Sequence, residues 1–253
     1  MRPYSENRSF LSAGFFLASL AVWSGAISQP AGAAKADAES TLRSTPPATC
    51  EAVDVDVTGA APDEKALICT AAQRSIEFFR RCKLRPSGRI RIGVVAGALD
   101  VGGVDVFGSY DASTETVRIV NLKRCAAMAG EVEEYRAPPV EEFYGSIVAH
   151  EVAHYVFRKL TRHHSYSHAT HEYVAYAAQI DSMPPVVRRK FLKSISRPPP
   201  SDLSHFVDMV LMLDPARFGA MAYDHFSASG NGCRILRGLV EGRIQFPRME
   251  EFD

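Results

Sequence analysis

His150, Glu151 and His154 stand in the order H-E-x-x-H, as His150-Glu151-Val152-Ala153-His154. On a helix, positions four apart share a face, so the two imidazoles would point the same way, one turn apart. Two imidazoles at that separation can grip one Zn²⁺ ion. Glu151 would sit a step round the helix, close enough to reach a water on the metal but not placed to compete as a ligand. A carboxylate there suits a general base in metal-assisted hydrolysis. The flanks are apolar: Phe143, Tyr144, Ile147, Val148, Val152, Tyr155, Val156 and Phe157 surround the motif, and between Phe143 and Phe157 the only charged side chain is Glu151. A helix apolar on nearly all sides is a buried one. Buried imidazoles and carboxylates need partners, which a metal and its water would supply. The run predicts a helix from about Pro139 to Leu160.

HEVAH on an apolar helix resembles the active-site helix of the zincin metallopeptidases. The resemblance implies that His150 and His154 bind one Zn²⁺, that Glu151 activates the water, and that a third protein ligand comes from further on. The metzincin form would put Gly at 157 and His at 160, where this chain has Phe157 and Leu160. The gluzincin form takes a Glu from the next helix. Glu172, in His171-Glu172-Tyr173-Val174-Ala175-Tyr176, lies eighteen positions beyond His154 and fits that place. Ala169 to Met183 reads as a helix, joined to the first by a polar turn over Thr161–His168. An antiparallel pair would return Glu172 over the two histidines. His168, on the same face one turn earlier, and the adjacent His171 are rival ligands, with Asp181 behind them. The His163-His164 pair reads as solvated loop. Gluzincin-like sites often supply a Tyr or His to the oxyanion, for which Tyr223 and His225 are the candidates, with Tyr173 and Tyr176 in reserve. Asp181 or Asp208 would hold the far nitrogen of a histidine.

The elements that must position these groups can be read in order. Val53, Val55 and Val57 alternate with acidic residues, as in a half-buried strand. Pro62-Asp63-Glu64 opens a helix to about Cys82, with proline and acids in its first turn. Arg89–Val95, Val104–Tyr110 and Thr116–Asn121 read as three further strands, the last two joined by a hairpin loop at Asp111–Thr114. Glu131, Glu133, Glu134, Glu141 and Glu142 read as a solvated loop and a favourable helix start. Beyond Met183 the chain reads as helices over Val186–Ile195 (basic), Ser201–Leu213 with Ser201 or Asp202 as cap, Asp214 to about Phe226, and Arg234–Glu241. The whole resembles an α+β zincin-like domain: a small twisted, mostly antiparallel sheet with a backing helix packed on the active-site helix, then a helical lower half. In that superfamily an edge strand lies along the cleft, here Val104–Tyr110 or Thr116–Asn121.

The chain has 253 residues and no net charge, so nothing overall calls for nucleic acid. Residues 1–33 read as an export signal: Arg2 and Arg8, an apolar run from Phe10 to Ile27, and a small-residue site at Ala31-Gly32-Ala33. An uncleaved N-terminal anchor is the alternative. Residues 34–49 read as a linker and 50–253 as one domain, divided into 50–160 and 161–253. The expected location is secreted or periplasmic. There the five cysteines, Cys50, Cys69, Cys82, Cys125 and Cys233, suggest up to two disulfides and one thiol. Cys69 and Cys82 would lie about 20 Å apart on one helix and so not pair. The expected function is hydrolysis of peptide bonds in a peptide or protein substrate, with peptidoglycan peptides as a variant. The competing expectation is a non-catalytic binding or scaffold protein on the same frame, against which an intact Glu151 argues.

Overall fold

Val55 and Val57 fall on β2 (Val55–Thr58) and turn into the core, while Asp56 and Thr58 turn outward. The structure is a computed structural model that describes residues 48–50, 53–198, 202–228 and 230–247. The export signal read in residues 1–33 and most of the linker lie outside the described residues. The last two linker residues form β1 (Ala48–Thr49), antiparallel to β2. After β2 the chain enters α1 (Pro62–Arg81), with Pro62 at its start, Asp63 and Glu64 in its first turn and Arg80 and Arg81 in its last.

From α1 the chain returns as β3 (Ile90–Val95), parallel to β2. A helix as crossover is what parallel neighbours require. Then come β4 (Asp100–Val101), β5 (Val104–Asp105), β6 (Gly108–Asp111) and β7 (Thr116–Val120). The main sheet has the order β1-β2-β3-β7-β6; β3 and β7 are parallel, β6 and β7 antiparallel. The sheet is therefore mixed rather than mostly antiparallel, because both central pairings join strands separated by long excursions.

The expected strand Val104–Tyr110 is two. Val104 and Asp105 fold back on Val101 and Asp100 as a separate ribbon, and only Gly108–Asp111 joins the main sheet. Alternating polarity reports which face is buried and not which strand is the partner, so one pattern spans both pieces. The edge is β6, and Thr116–Asn121 is interior, between β3 and β6. Between β6 and β7, Asp111 accepts hydrogen bonds from the Ser113 and Thr114 amides and hydroxyls, a local Asx-type turn.

A short helix, α2 (Leu122–Ala129), follows, capped by the Asn121 side chain. The acidic stretch after it forms a 3₁₀ turn over Glu133–Arg136. Then come α3 (Val140–Leu160) and α4 (His168–Ser182), the latter capped by Ser167. The last helices are α5 (Pro185–Ser194), α6 (Asp208–Leu213), α7 (Pro215–Ser227) and α8 (Gly232–Val240). The helix expected over Ser201–Leu213 is broken. Asp202 caps only a 3₁₀ turn at Leu203–His205, and the chain is extended at Val207 before α6 begins.

The described chain is thus α+β, with eight α-helices and a small mixed sheet. Helix α3 packs against α1, α2, α4, β6 and β7. Ser75 of α1 donates to the Ala149 carbonyl at 2.8 Å, next to His150. Glu64, buried at the start of α1, accepts from the Tyr144 hydroxyl at 2.9 Å and the Leu122 amide at 2.6 Å, so one carboxylate ties α1, α2 and α3 together.

Cys50 pairs with Cys69 and Cys82 with Cys233, and Cys69 and Cys82 do not pair. The second bond fastens the end of α1 to α8 across 151 positions and, on the chain-entropy account, is worth about 5 kcal/mol. Cys125 is the remaining thiol, buried, with its pKa pushed up to about 12 by burial and then by Glu64. Two such bonds fit an oxidising compartment. Among the described residues no helix is long and apolar enough to cross a membrane.

Candidate metal centre

His150 and His154 lie one turn apart on α3, each 6% exposed, and present their Nε2 atoms 3.1 Å apart. Helix α4 lies against α3 and brings Glu172 to them. Its Oε2 is 3.3 Å from His150 Nε2, and its Oε1 is 3.2 Å from His154 Nε2. The donor atoms of the three side chains lie within 4.8 Å of one another, the one such group among the described residues. Ligands about 2.0–2.2 Å from one ion at tetrahedral angles are separated by roughly 3.3–3.5 Å, close to the spacings found. Two nitrogens and one carboxylate oxygen, all buried, are a donor set that fits a metal ion. Glu172 Oε1 is buried and completes no well-aligned hydrogen bond, which is the condition of an atom placed for a cation.

Hydrogen bonding orients His150. Ser146 donates its one hydroxyl proton to the Phe143 carbonyl at 2.7 Å, so its oxygen can only accept from Gln179 Nε2, at 3.4 Å. That fixes the Gln179 amide with Oε1 toward His150 Nδ1, 2.9 Å away. His150 must then donate from Nδ1, which leaves the Nε2 lone pair turned to the centre. The outer partner is thus an amide and not the expected acid. Asp181 is engaged by Arg81 and Arg188, and Asp208 accepts from the Ala169 amide at 2.6 Å at the start of α4.

The charges are strongly coupled. Burial would raise the Glu172 pKa, but the charge of His154 and hydrogen bonds with His150, His154 and His168 hold it well below the usual carboxylate range. Burial would lower His150, but the hydrogen bond and charge of Glu172 outweigh it and raise the pKa. In His154 burial wins and the pKa is lowered.

The rival ligands are placed apart. His168 Nε2 stands 3.3 Å from Glu172 Oε1, an outer partner of the carboxylate. The His171 ring packs on Phe157, and burial, then His154, lowers its pKa to about 3. His163 is exposed, and His164 packs beside Tyr166.

The centre opens on a cleft of about 860 Å³ lined by His150, Glu151 and Glu172 together with Phe107, Gly108, Tyr135, Tyr176 and Gln179 among others. Glu151 is 3% exposed and sits against β6, where a Cβ built on Gly108 would come within 2.7 Å of its Cγ. Tyr223 and His225 do not line this cleft. Arg188 lies over the Tyr223 ring, and His225 Nδ1 pairs with the Tyr173 hydroxyl at 2.9 Å. Two phenols do line it, Tyr135 and Tyr176, and it is the Tyr176 ring that stands edge-on to His150 at 4.7 Å. Gly219 makes room for it, since a Cβ there would meet Tyr176 Cδ1 at 2.5 Å.

Sequence reasoning missed Gln179, yet a signal exists. His168, Glu172, Tyr176 and Gln179 follow one another at spacings of four, four and three, which is one face of α4. Gly108 carries no such signal, because its partner lies on another element.

Residues 55–249 match the family described as "Family of unknown function (DUF6639)", and the chain belongs to that family. No curated protein and no solved structure matches it.

Proposed function

We propose that this member of the DUF6639 family is an exported zinc-dependent hydrolase of peptide bonds, built on a zincin-like frame of the gluzincin kind. The observation that carries the reading is the convergence of His150, His154 and Glu172, two of which line one cleft with Glu151, beside the edge strand β6. A zinc ion held by the three side chains would supply Lewis acidity, polarising a carbonyl and making water easier to deprotonate. Glu151 accepts the proton of the attacking water and delivers it to the leaving nitrogen as the C–N bond breaks. The Tyr176 hydroxyl donates to the carbonyl oxygen as negative charge builds there. Gln179 holds His150 in the tautomer that binds metal, and His168 supports Glu172.

The substrate backbone has a natural seat. β6 has no strand on its outer side among the described residues. Phe107 accepts from Val120 at 2.9 Å, so by antiparallel alternation the next residue, Gly108, turns its backbone N–H and C=O away from β7. An extended peptide can pair there, alongside Glu151.

The test is elemental analysis of the dialysed protein followed by assay on a peptide mixture. Near-stoichiometric zinc and cleavage that a chelator stops and added zinc restores are expected. Protein that takes up no metal when zinc is supplied would sink the reading. Gly108→Ala adds a finer check. The added methyl displaces Glu151, so hydrolysis falls by roughly 100-fold, the cost of about an ångström of misplacement, with zinc content unchanged. Unaltered turnover in that variant would remove Glu151 from the reacting atoms.

A further inference from the structure

The mouth of the cleft has a charge that the chain as a whole does not. The full sequence is neutral, yet Glu131, Glu133, Glu134 and Asp214 line the cleft. Among the described residues Arg124 is the one Lys or Arg that lines the cleft, and it is tied to Asp105. The four rim acids come from both sides of the cleft, three from the stretch after α2 and one from the start of α7. Glu131, Glu133 and Asp214 are exposed and Glu134 is half-buried. The rim is continuous with the metal centre. The Tyr135 phenol is pushed up to about 12 by burial and then by Glu134 and Asp214. Tyr176, edge-on to His150, lines the same cavity as the rim acids. At the inner end Glu172, 4% exposed, lines the same cavity.

Between the exposed acids and the centre the cleft is lined by apolar and aromatic side chains, Phe107, Tyr135 and Ile147. A surface with apolar stems below and carboxylates above fits a long cationic side chain, whose methylenes lie on the wall while its head meets the rim. A bare metal ion would use the carboxylates and not the wall. Clustered like charges in a concave, low-dielectric cleft also concentrate oppositely charged ligands there.

We propose that this rim selects peptides carrying Lys- or Arg-like side chains close to the bond that is cut. The proposal deepens the peptide-hydrolase reading and rests on it for the nature of the substrate. Anionic peptides are excluded by the same charges, so selectivity comes from repulsion as well as attraction.

The test separates binding from cleavage. Zinc-loaded protein carrying Glu151→Gln is titrated with two labelled octapeptides that differ only in Lys against Gln at alternate positions, and anisotropy reads the binding. The Lys peptide binds about tenfold tighter at low ionic strength, and high salt removes most of that difference. Glu133→Gln combined with Glu134→Gln, at positions outside the core, reduces the preference to about threefold or less, with binding of the Gln peptide unchanged. Equal binding of the two peptides overturns the proposal, as does a preference that survives the double substitution. Cleavage is scored separately on protein with Glu151 intact. A charge preference in binding without cleavage of either peptide would sink the hydrolase reading and leave the rim's specificity standing.

Discussion

Replacing Glu151 with Gln should lower peptide hydrolysis by about 10²- to 10⁴-fold while zinc content stays as in the parent. The amide keeps the size of the carboxylate and loses its basicity. Glu151 sits 3% exposed against Gly108 and is not one of the three converging ligands, so neither packing nor metal binding should suffer. Zinc content and kcat measured on the same preparation decide the matter. Loss of metal in Glu151→Gln would make the residue a ligand; full turnover would deny it the role of base. A protein that only bound peptides would show no dependence of product on this residue at all.

The second large effect is expected from Glu172→Ala. Its carboxylate stands 3.2 Å and 3.3 Å from the two Nε2 atoms, and removing it leaves two imidazoles to hold the ion. Losing an outer partner of a metal ligand costs about 10- to 100-fold in affinity, and loss of the ligand itself should exceed that. Competition against a chelator of known affinity would rank the parent first, Gln179→Ala next and Glu172→Ala last. If Glu172→Ala keeps zinc at the parent's affinity, the third ligand is His168, since the His171 ring packs on Phe157 instead.

Acid should weaken binding in a defined order. His150 has a raised pKa, so it begins to hold a proton above the usual value of 6.5, and a proton on Nε2 excludes metal. Apparent affinity then falls about tenfold per pH unit as pH drops through that region. The fall steepens only when His154, whose pKa is lowered, titrates as well. Affinity measured at several pH values would show this directly, and a flat profile would deny the histidines their role.

Much of the centre was legible because helical periodicity is local. The spacing of His150 and His154 fixes a shared face wherever the helix is placed, and the apolar flanks demand that the face be buried. Glu172 could be named, ahead of His168, His171 and Asp181, because the gluzincin resemblance asks for a Glu on the next helix and a short polar turn between two apolar helices favours antiparallel packing. Gln179 was open to the same argument, two turns beyond Glu172 on one face. Tyr223 and His225 failed as cleft residues because a position on a later helix does not say which way that helix presents it. In the structure Arg188 covers the ring of Tyr223, and Tyr173 takes His225.

By itself the sequence determined the helix pair, the spacing of His150 and His154, the strand faces and the exclusion of a Cys69–Cys82 bond, all consequences of backbone geometry over a few turns. Tertiary structure alone decided which strands are neighbours, and so made the sheet mixed and β6 its edge. It alone set Gly108 against Glu151, gave the Nδ1 of His150 to an amide, joined Cys82 to Cys233 across 151 positions and brought Asp214 to the same cleft as Glu131, Glu133 and Glu134. Such contacts join residues whose separation along the chain carries no period, so no local pattern encodes them; the packing of α3 between the sheet and α4 creates them.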